Sequence, residues 1–344
     1  MEKINLLTSS GQLCTIVFAD GPENVLRFVR ERLGSQRRII AIIDEKVERL
    51  YGTRFPFEKI VIQATESNKS LQTVESICRQ LMAMEADNHV FLLGVGGGIT
   101  TDLTGFVAAV YKRGVEFAFV PTTLLCMIDA AIGGKSGVNM SGYKNMLGCI
   151  RQPAFVVEEI SFLHSFSREE LYRSLPELFK SLLIAGSDFE KVTSFFHNLD
   201  VAALWSDEEK KDFFRAQIRR AVEIKAAIVA RDEFDKGERR LLNLGHTFAH
   251  ALERCTHLSH GEAVGIGLVL AAKNGHSPSC QQQIEDALRK CGLPTSVPAS
   301  IHKSEMLEAI CQDKKITDGL LNLVVINGIG DVSVKAVRLD AIQL

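Results

Sequence analysis

A chain of 344 residues with 46% hydrophobic side chains can bury a sizeable core and is long enough for two domains. Its formal net charge of -2, with 24% charged residues, leaves no overall basic field and argues against non-specific nucleic-acid binding, so any anion site must be local. The eight cysteines contain no C-x-x-C pair, which points away from a disulfide framework or a thiolate zinc site and towards reduced thiols in a cytoplasm.

The N-terminus carries Glu2, Lys3, Asp20 and Glu23 without the apolar core of a signal peptide, and no apolar run of about 18 residues occurs, so no membrane span is expected. Short β-branched runs at 13–19, 38–43, 59–63, 89–93 and 116–120 read as strands, with helices predicted between them at 23–33, 70–86 and 100–111. Strands alternating with helices imply a mostly parallel sheet with crossovers, the layout of nucleotide-binding domains. A last strand is predicted at 154–157, after which the pattern changes. Stretches 167–185, 208–230, 241–255, 261–274, 281–291 and 303–311 read as helices, with a small strand at 321–326. The expectation is an α/β nucleotide-binding domain over 1–155 followed by a mainly α-helical domain over 156–344.

The strand at 89–93 runs into Gly94-Val95-Gly96-Gly97-Gly98-Ile99-Thr100-Thr101-Asp102 and then opens a helix. Such a turn lets backbone N–H groups approach a pyrophosphate, with the helix dipole favouring its charge. Ile99 replaces the third glycine of G-x-G-x-x-G and the run follows about the fourth strand, so it is not the ordinary Rossmann fingerprint. Three consecutive glycines flanked by Gly94 and Asp102 still favour nucleotide binding over a merely tight turn. Asp44, ending the strand at 38–43, suits a ribose diol, and Glu66 with Lys69 lies where the next strand leaves the sheet. Taken singly, each is a solvated charge.

In the segment 121–148, Gly134-Lys135-Ser136 ends like a P-loop, but Asp129 occupies the position of the required glycine, so no NTPase motif is present. What remains is a glycine-rich loop carrying Lys135 and Lys144 behind Arg113. Those cations suit a phosphorylated or carboxylated small molecule, exposed surface lysines being the plain alternative. The densest chemistry lies in 239–265. His246, His250, Glu253 and His257 recur at spacings of four, three and four, so a helix places them on one face, and His260 follows. Such a face suggests a metal or proton-transfer site. Spacing alone offers His246 and His250 as the chelating pair and requires a further ligand from elsewhere. Glu177 is the candidate, although with Lys180 at i, i+3 it also reads as a surface ion pair. Lys225, Asp232, Glu233 and Arg239 precede the histidines, and Asp313-Lys314-Lys315 lies near the C-terminus; each alone passes as surface charge.

Taken in order, GGGITTDLTGF, YKRGVEFAFVPTTLL, DAAIGGKSGVN, GYKN, PELFK, RDEFDKGERRLLNLGHTFAHALE, HGEAVGIG and DKK resemble the 3-dehydroquinate synthase family of sugar-phosphate cyclases, over about residues 40 to 330. The resemblance implies an NAD-binding α/β domain, a helical metal- and substrate-binding domain, and a cytoplasmic homodimer. It implies a carbon–oxygen lyase of the shikimate pathway, leading to chorismate and the aromatic amino acids. That enzyme converts 3-deoxy-D-arabino-heptulosonate 7-phosphate to 3-dehydroquinate and phosphate. NAD oxidises a secondary alcohol, phosphate is eliminated, the ketone is reduced, and the ring opens and recloses by an aldol step.

Carried over by motif, Glu177, His246 and His260 would bind Zn2+, with Co2+ as the alternative, leaving His250 for proton transfer and Glu253 and His257 as structural residues. Asp129, Lys135, Lys180, Lys225, Arg239 and Asn243 match substrate-contacting positions. Lys144, Asn145 and Lys315, or its neighbour Lys314, match the phosphate end, and Arg113 reaches the neighbouring subunit's site. Asp44, Glu66, Lys69, Gly97, Gly98, Asp102, Thr122 and Thr123 match cofactor positions, which Lys135 and Lys144 share. Leu175 and Pro176 replace the small residues that usually precede the metal glutamate, so a helix start with proline in its first turn is expected there. Thr65 before Glu66 and Ala130-Ala131 are further departures, and none removes a ligand. A sister cyclase acting on sedoheptulose 7-phosphate and, more remotely, a metal-dependent polyol dehydrogenase share parts of the pattern.

Overall fold

The computed structural model describes residues 1–197, 199–313 and 320–344. Its contacts divide the chain into two units, Met1–Ser165 with Lys225–Phe234, and Phe166–Ile224 with Asp235–Leu344.

The first unit is a seven-stranded sheet with helices. In chain order it comprises β1 (Glu2–Leu7), β2 (Leu13–Phe18), α1 (Pro22–Leu33), β3 (Ile39–Asp44), α2 (Glu45–Tyr51), β4 (Glu58–Ile62), α3 (Leu71–Ala83), β5 (Phe91–Gly96), α4 (Gly98–Val110), β6 (Glu116–Pro121), β7 (Lys135–Met140), β8 (Tyr143–Ile150) and β9 (Phe155–Glu158). The sheet order is β1-β2-β9-β6-β5-β3-β4, parallel throughout except for the β1–β2 hairpin. Burial on both faces explains the unbroken apolar runs: Ile39 to Ile43 and Phe91 to Leu93 are all buried. β4 lies on one side of β3 and β5 on the other, so the winding reverses between β3 and β5. In open α/β sheets, that reversal opens a ligand crevice beyond the strands' carboxyl ends. Asp44 and Gly96 are the last residues of those two strands.

Residue 155, where the sequence marks a change of character, opens β9, and the chain stays with the first unit through Ser165. β9 pairs with both β2 and β6, and Phe162 in the turn after it packs on Tyr51 and Phe55. The expected glycine-rich loop is instead the β7–β8 hairpin, and β1 and α2 also lie outside the sequence expectation.

The second unit contains α5 (Arg168–Arg173), α6 (Leu175–Ala185), α7 (Phe189–His197), α8 (Val201–Leu204), α9 (Glu208–Arg231), α10 (His246–Cys255), α11 (His260–Asn274), α12 (Pro278–Lys290) and α13 (Lys303–Asp313), with a hairpin of β10 (Leu320–Gly328) and β11 (Asp331–Arg338). From Lys225 onward α9 is counted with the first unit. The helix expected at 167–185 is broken at Ser174, which separates α5 from α6, and Pro176 sits in the first turn of α6 without disturbing it. α11 is buried on almost every side, as its run of Gly, Ala, Val, Ile and Leu requires.

Candidate active site

In the second unit, three helix starts carry the candidate metal ligands. Glu177 is the third residue of α6, His246 the first of α10 and His260 the first of α11. Gly245, left-handed at φ 78°, turns the chain into α10. α11 is capped by Ser259 and Glu262 in a reciprocal box and begins against the end of α5. The approach is so close that a Cβ on Gly261 would lie 1.5 Å from the Arg173 carbonyl oxygen. Glycine beside His260 therefore sets the distance between α11 and the neighbouring helix.

The three side chains converge. Glu177 Oε1 lies 3.2 Å from His246 Nε2 and 3.2 Å from His260 Nε2, and one ligand atom from each residue falls within 4.8 Å of the others. The far nitrogens are engaged as well: His246 Nδ1 is 3.1 Å from the Leu244 carbonyl, and His260 Nδ1 is 3.2 Å from Glu253 Oε1. Both partners are acceptors, so each Nδ1 carries a hydrogen, and each Nε2 faces the carboxylate, where it either donates a proton or, with that proton displaced, turns a lone pair inward. Such a partly buried point holds a cation, a proton or a metal, and a carboxylate with two imidazoles is a donor set suited to a divalent transition metal.

The electrostatics agree. Burial works to raise the Glu177 carboxyl, but the Lys180 ammonium and the two imidazoles outweigh it and hold the group well below the usual range. Lys180 Nζ lies 2.5 Å from Glu177 Oε2, and both side chains are about fully buried, so this i, i+3 pair is not the surface pair its spacing allows. Burial lowers His246; His260, despite burial, is pushed up to about 9 by its hydrogen bonds to Glu177 and Glu253, so with no metal its Nε2 keeps a proton on Glu177, which a metal ion would displace.

His250 stands one turn along α10 from His246, its ring 5.7 Å away edge to face, and is not among the converging ligands. Glu253, which the resemblance left as a structural residue, instead holds His260, while His257 is exposed. Arg239 is buried in the short turn Glu238–Asn243, which ends at Asn243. Lys314 and Lys315 lie outside the described residues.

In the first unit, Gly97 precedes α4, and among the described residues no side chain caps that helix, leaving its first amides available to an anion. Thr122 is buried and donates its N–H to the Gly96 carbonyl at 3.0 Å, tying the start of the next loop to the glycine turn. Thr123 Oγ1 accepts from Cys126 N–H at 3.2 Å. Asp44 caps α2 through Lys46 N–H at 2.6 Å, leaving its second carboxylate oxygen for a ligand. Buried Lys69 pairs with Asp102, and burial pushes that carboxyl up to about 6 against the pull of Lys69. Asp102 lines a cavity of about 640 Å³ with Lys135, Ser136, Asn145, Cys149 and Phe234. Lys225 Nζ reaches the Asp129 carboxylate and its carbonyl, each at 2.6 Å. Lys144 is exposed on the β7–β8 hairpin, and Arg113 is exposed on a left-handed turn, φ 67°, after α4.

A sheet with a nucleotide crevice and a helical unit with a carboxylate–imidazole cluster define the fold class shared by sugar-phosphate cyclases and metal-dependent alcohol dehydrogenases. Residues 59–173 match the family model for the N-terminal part of 3-dehydroquinate synthase, and residues 174–316 match that for its C-terminal part. A 3-dehydroquinate synthase of Coxiella burnetii is 37% identical over 305 residues, covering 86% of this chain and 83% of that protein. One from Pseudoalteromonas atlantica is 36% identical over 338 residues, covering 96% and 91%. Among solved structures, 2-epi-5-epi-valiolone synthase from Streptomyces hygroscopicus, with NAD+ and Zn2+ bound, superposes with a TM-score of 0.81 at 27% identity, covering 95% of this chain and 94% of that one. The chain belongs to the 3-dehydroquinate synthase family.

Proposed function

We infer that this protein is a 3-dehydroquinate synthase, a carbon–oxygen lyase of the shikimate pathway. It releases phosphate from 3-deoxy-D-arabino-heptulosonate 7-phosphate and closes the carbocycle of 3-dehydroquinate. The observation that carries this reading is the convergence of Glu177, His246 and His260 on one point, in a chain that matches the family through both of its parts. The expected domains are assigned 1–155 to the cofactor and 156–344 to the metal, with substrate residues in each.

Glu177, His246 and His260 are assigned to a divalent metal, with Zn2+ favoured by the donor set. When bound, it supplies Lewis acidity to the substrate hydroxyl that is oxidised. NAD, held by the residues assigned below, would supply a hydride acceptor for that hydroxyl. Lys180 holds Glu177 ionised and thus competent as a ligand. All three ligands sit at helix N-termini, whose dipoles favour negative charge, so oxygen anions formed beside them are stabilised. His250 is assigned to proton transfer.

Asp129, Lys135, Lys225, Arg239 and Asn243 are assigned to the substrate. Lys225 and Asp129 hold one another at 2.6 Å and so present a fixed charge pair rather than a mobile lysine. Lys144, Asn145, Lys315 and Arg113 are assigned to the phosphate end, with Arg113 supplied by the second subunit of a homodimer; its exposure on a left-handed turn supports that role. Asp44, Glu66, Lys69, Gly97, Gly98, Asp102, Thr122 and Thr123, joined by Lys135 and Lys144, are assigned to NAD. The uncapped start of α4 at the sheet's winding reversal supports that assignment. All eight cysteines are free thiols, which supports a cytoplasmic location, and no helix among the described residues is long and apolar enough to cross a membrane.

Purified protein given NAD, Zn2+ and the heptulosonate phosphate is expected to release phosphate, and to stop when the metal is chelated. No phosphate release from the fully loaded protein would sink the reading.

A further inference from the structure

The β7–β8 hairpin contains a bulge. Val138 pairs with Leu147 and Met140 with Tyr143, which leaves Asn139 outside the ladder. Its hydrogen-bonding groups go to the turn at Glu66–Lys69 instead. Asn139 N–H donates to the Lys69 carbonyl at 2.8 Å. Its Nδ2 donates to Glu66 Oε1 at 2.8 Å and to the Glu66 carbonyl at 3.3 Å. Its Oδ1 accepts from Asn145 N–H at 2.9 Å. Lys69 closes the ring, donating to Asn145 Oδ1 at 2.5 Å while it pairs with Asp102.

One neutral amide therefore touches groups assigned to both ends of the chemistry, Glu66 and Lys69 on the cofactor side and Asn145 on the phosphate side, with Asp102 reached through Lys69. Glu66 and Asn145 are exposed, so apolar packing does not fix them and hydrogen bonds must. Asn145 is held at φ 52°, a left-handed conformation that asparagine tolerates, with its N–H on Asn139 and its side-chain oxygen on Lys69.

We propose that Asn139 is a positioning residue that couples NAD binding to binding of the substrate's phosphate end. A cofactor that orders the Glu66–Lys69 turn orders Asn139. Asn139 and Lys69 together then hold Asn145 in place for an anion. Such coupling is reciprocal: phosphate tightens NAD by the same factor as NAD tightens phosphate. The proposal rests on the assignment of these residues to NAD and phosphate made above.

The test is the affinity of the metal-loaded full chain for NAD, measured by calorimetry with and without saturating inorganic phosphate. In the wild-type protein, phosphate is expected to tighten NAD by roughly fivefold or more. In Asn139→Ala that factor is expected to fall to about one, with metal content and circular dichroism unchanged. Asn139→Asp keeps the acceptor for Asn145 N–H but removes the donor to Glu66 and sets a second carboxylate against it. The factor is expected to fall there too, which keeps the test available if the alanine variant does not fold. NAD bound without any phosphate effect in the wild type, or an equal effect in wild type and variants, overturns the proposal alone. Failure of the wild type to bind NAD at all overturns the cofactor assignment and the proposal with it.

Discussion

Glu177, His246 and His260 stand on the first turns of three helices, where backbone approach as close as that of Gly261 to Arg173 fixes their separation. Glu66, Lys135, Lys144 and Asn145 stand on a turn and a hairpin at the protein surface, Glu66 and Asn145 held by hydrogen bonds with Asn139. The first arrangement is set by helix backbone around a buried carboxylate, as a metal of fixed coordination requires. The second can order around a ligand that enters, turns over and leaves. The contrast implies that substitutions in the helical cluster act on metal retention and folding, whereas those on the hairpin side act on ligand affinity and on its dependence on other ligands.

The largest effect expected is at His260. His260→Ala should lose stoichiometric metal on dialysis, whereas His250→Ala should keep the metal and lower turnover by about a hundredfold or more, as expected for a proton-transfer group. Metal analysis and steady-state rates read the two, and equal metal loss in both variants would restore the i, i+4 chelate that spacing alone offers. Next comes Gly261→Ala, whose Cβ would meet a backbone carbonyl that has no rotamer to escape into. A loss of about 3 kcal/mol in urea unfolding is expected, and a neutral result would show that α5 and α11 can separate freely.

Asp102 gives a test by pH on the other side of the comparison. Its carboxyl titrates near 6 in the folded chain against an ordinary 3.8, burial being the main cause, so folding favours the protonated form. Its contribution to stability is therefore fully present below pH ~4 and is lost as pH rises through about 6, in total about 3 kcal/mol. Relative to wild type, Asp102→Asn should gain about that much between acid and neutral pH; a pH-independent difference in unfolding free energy would contradict the assignment. The smallest expected effect is at Glu253. Glu253→Gln keeps a side chain that can accept from His260 but removes the charge, and should weaken metal affinity by about tenfold to a hundredfold in chelator competition. An unchanged affinity would leave Glu253 without influence on the ligand.

The parallel sheet and the helical second unit were legible because buried strands show as apolar runs and amphipathic helices as 3.6-residue periods. The β7–β8 hairpin was not. Its glycines and lysines lack the β-branched alternation by which strands are read, and pairing across Ser141-Gly142 supplies what the residues themselves do not. The break at Ser174, whose backbone N–H closes α5, falls within a stretch whose periodicity runs on.

At the metal cluster, periodicity correctly placed His246 and His250 on one helix face but could not see across the turn to α11. His260 as a ligand came from motif resemblance, which also singled out the candidate Glu177, and in the structure their ligand atoms meet His246. Glu253 escaped because its partner is His260, seven residues on and in another helix, a contact that no single-helix spacing describes. Asn139 carried no signal at all, since its role follows from a bulge that frees it from the ladder.

The central claim is that the cofactor is used and restored within one turnover, and the balance between phosphate and NADH tests it most directly. With the protein, metal, NAD and heptulosonate phosphate mixed in one cuvette, phosphate should accumulate in large excess over bound NAD while absorbance at the NADH band stays flat. NADH rising in step with substrate consumed would contradict the account and mark the protein as a dehydrogenase.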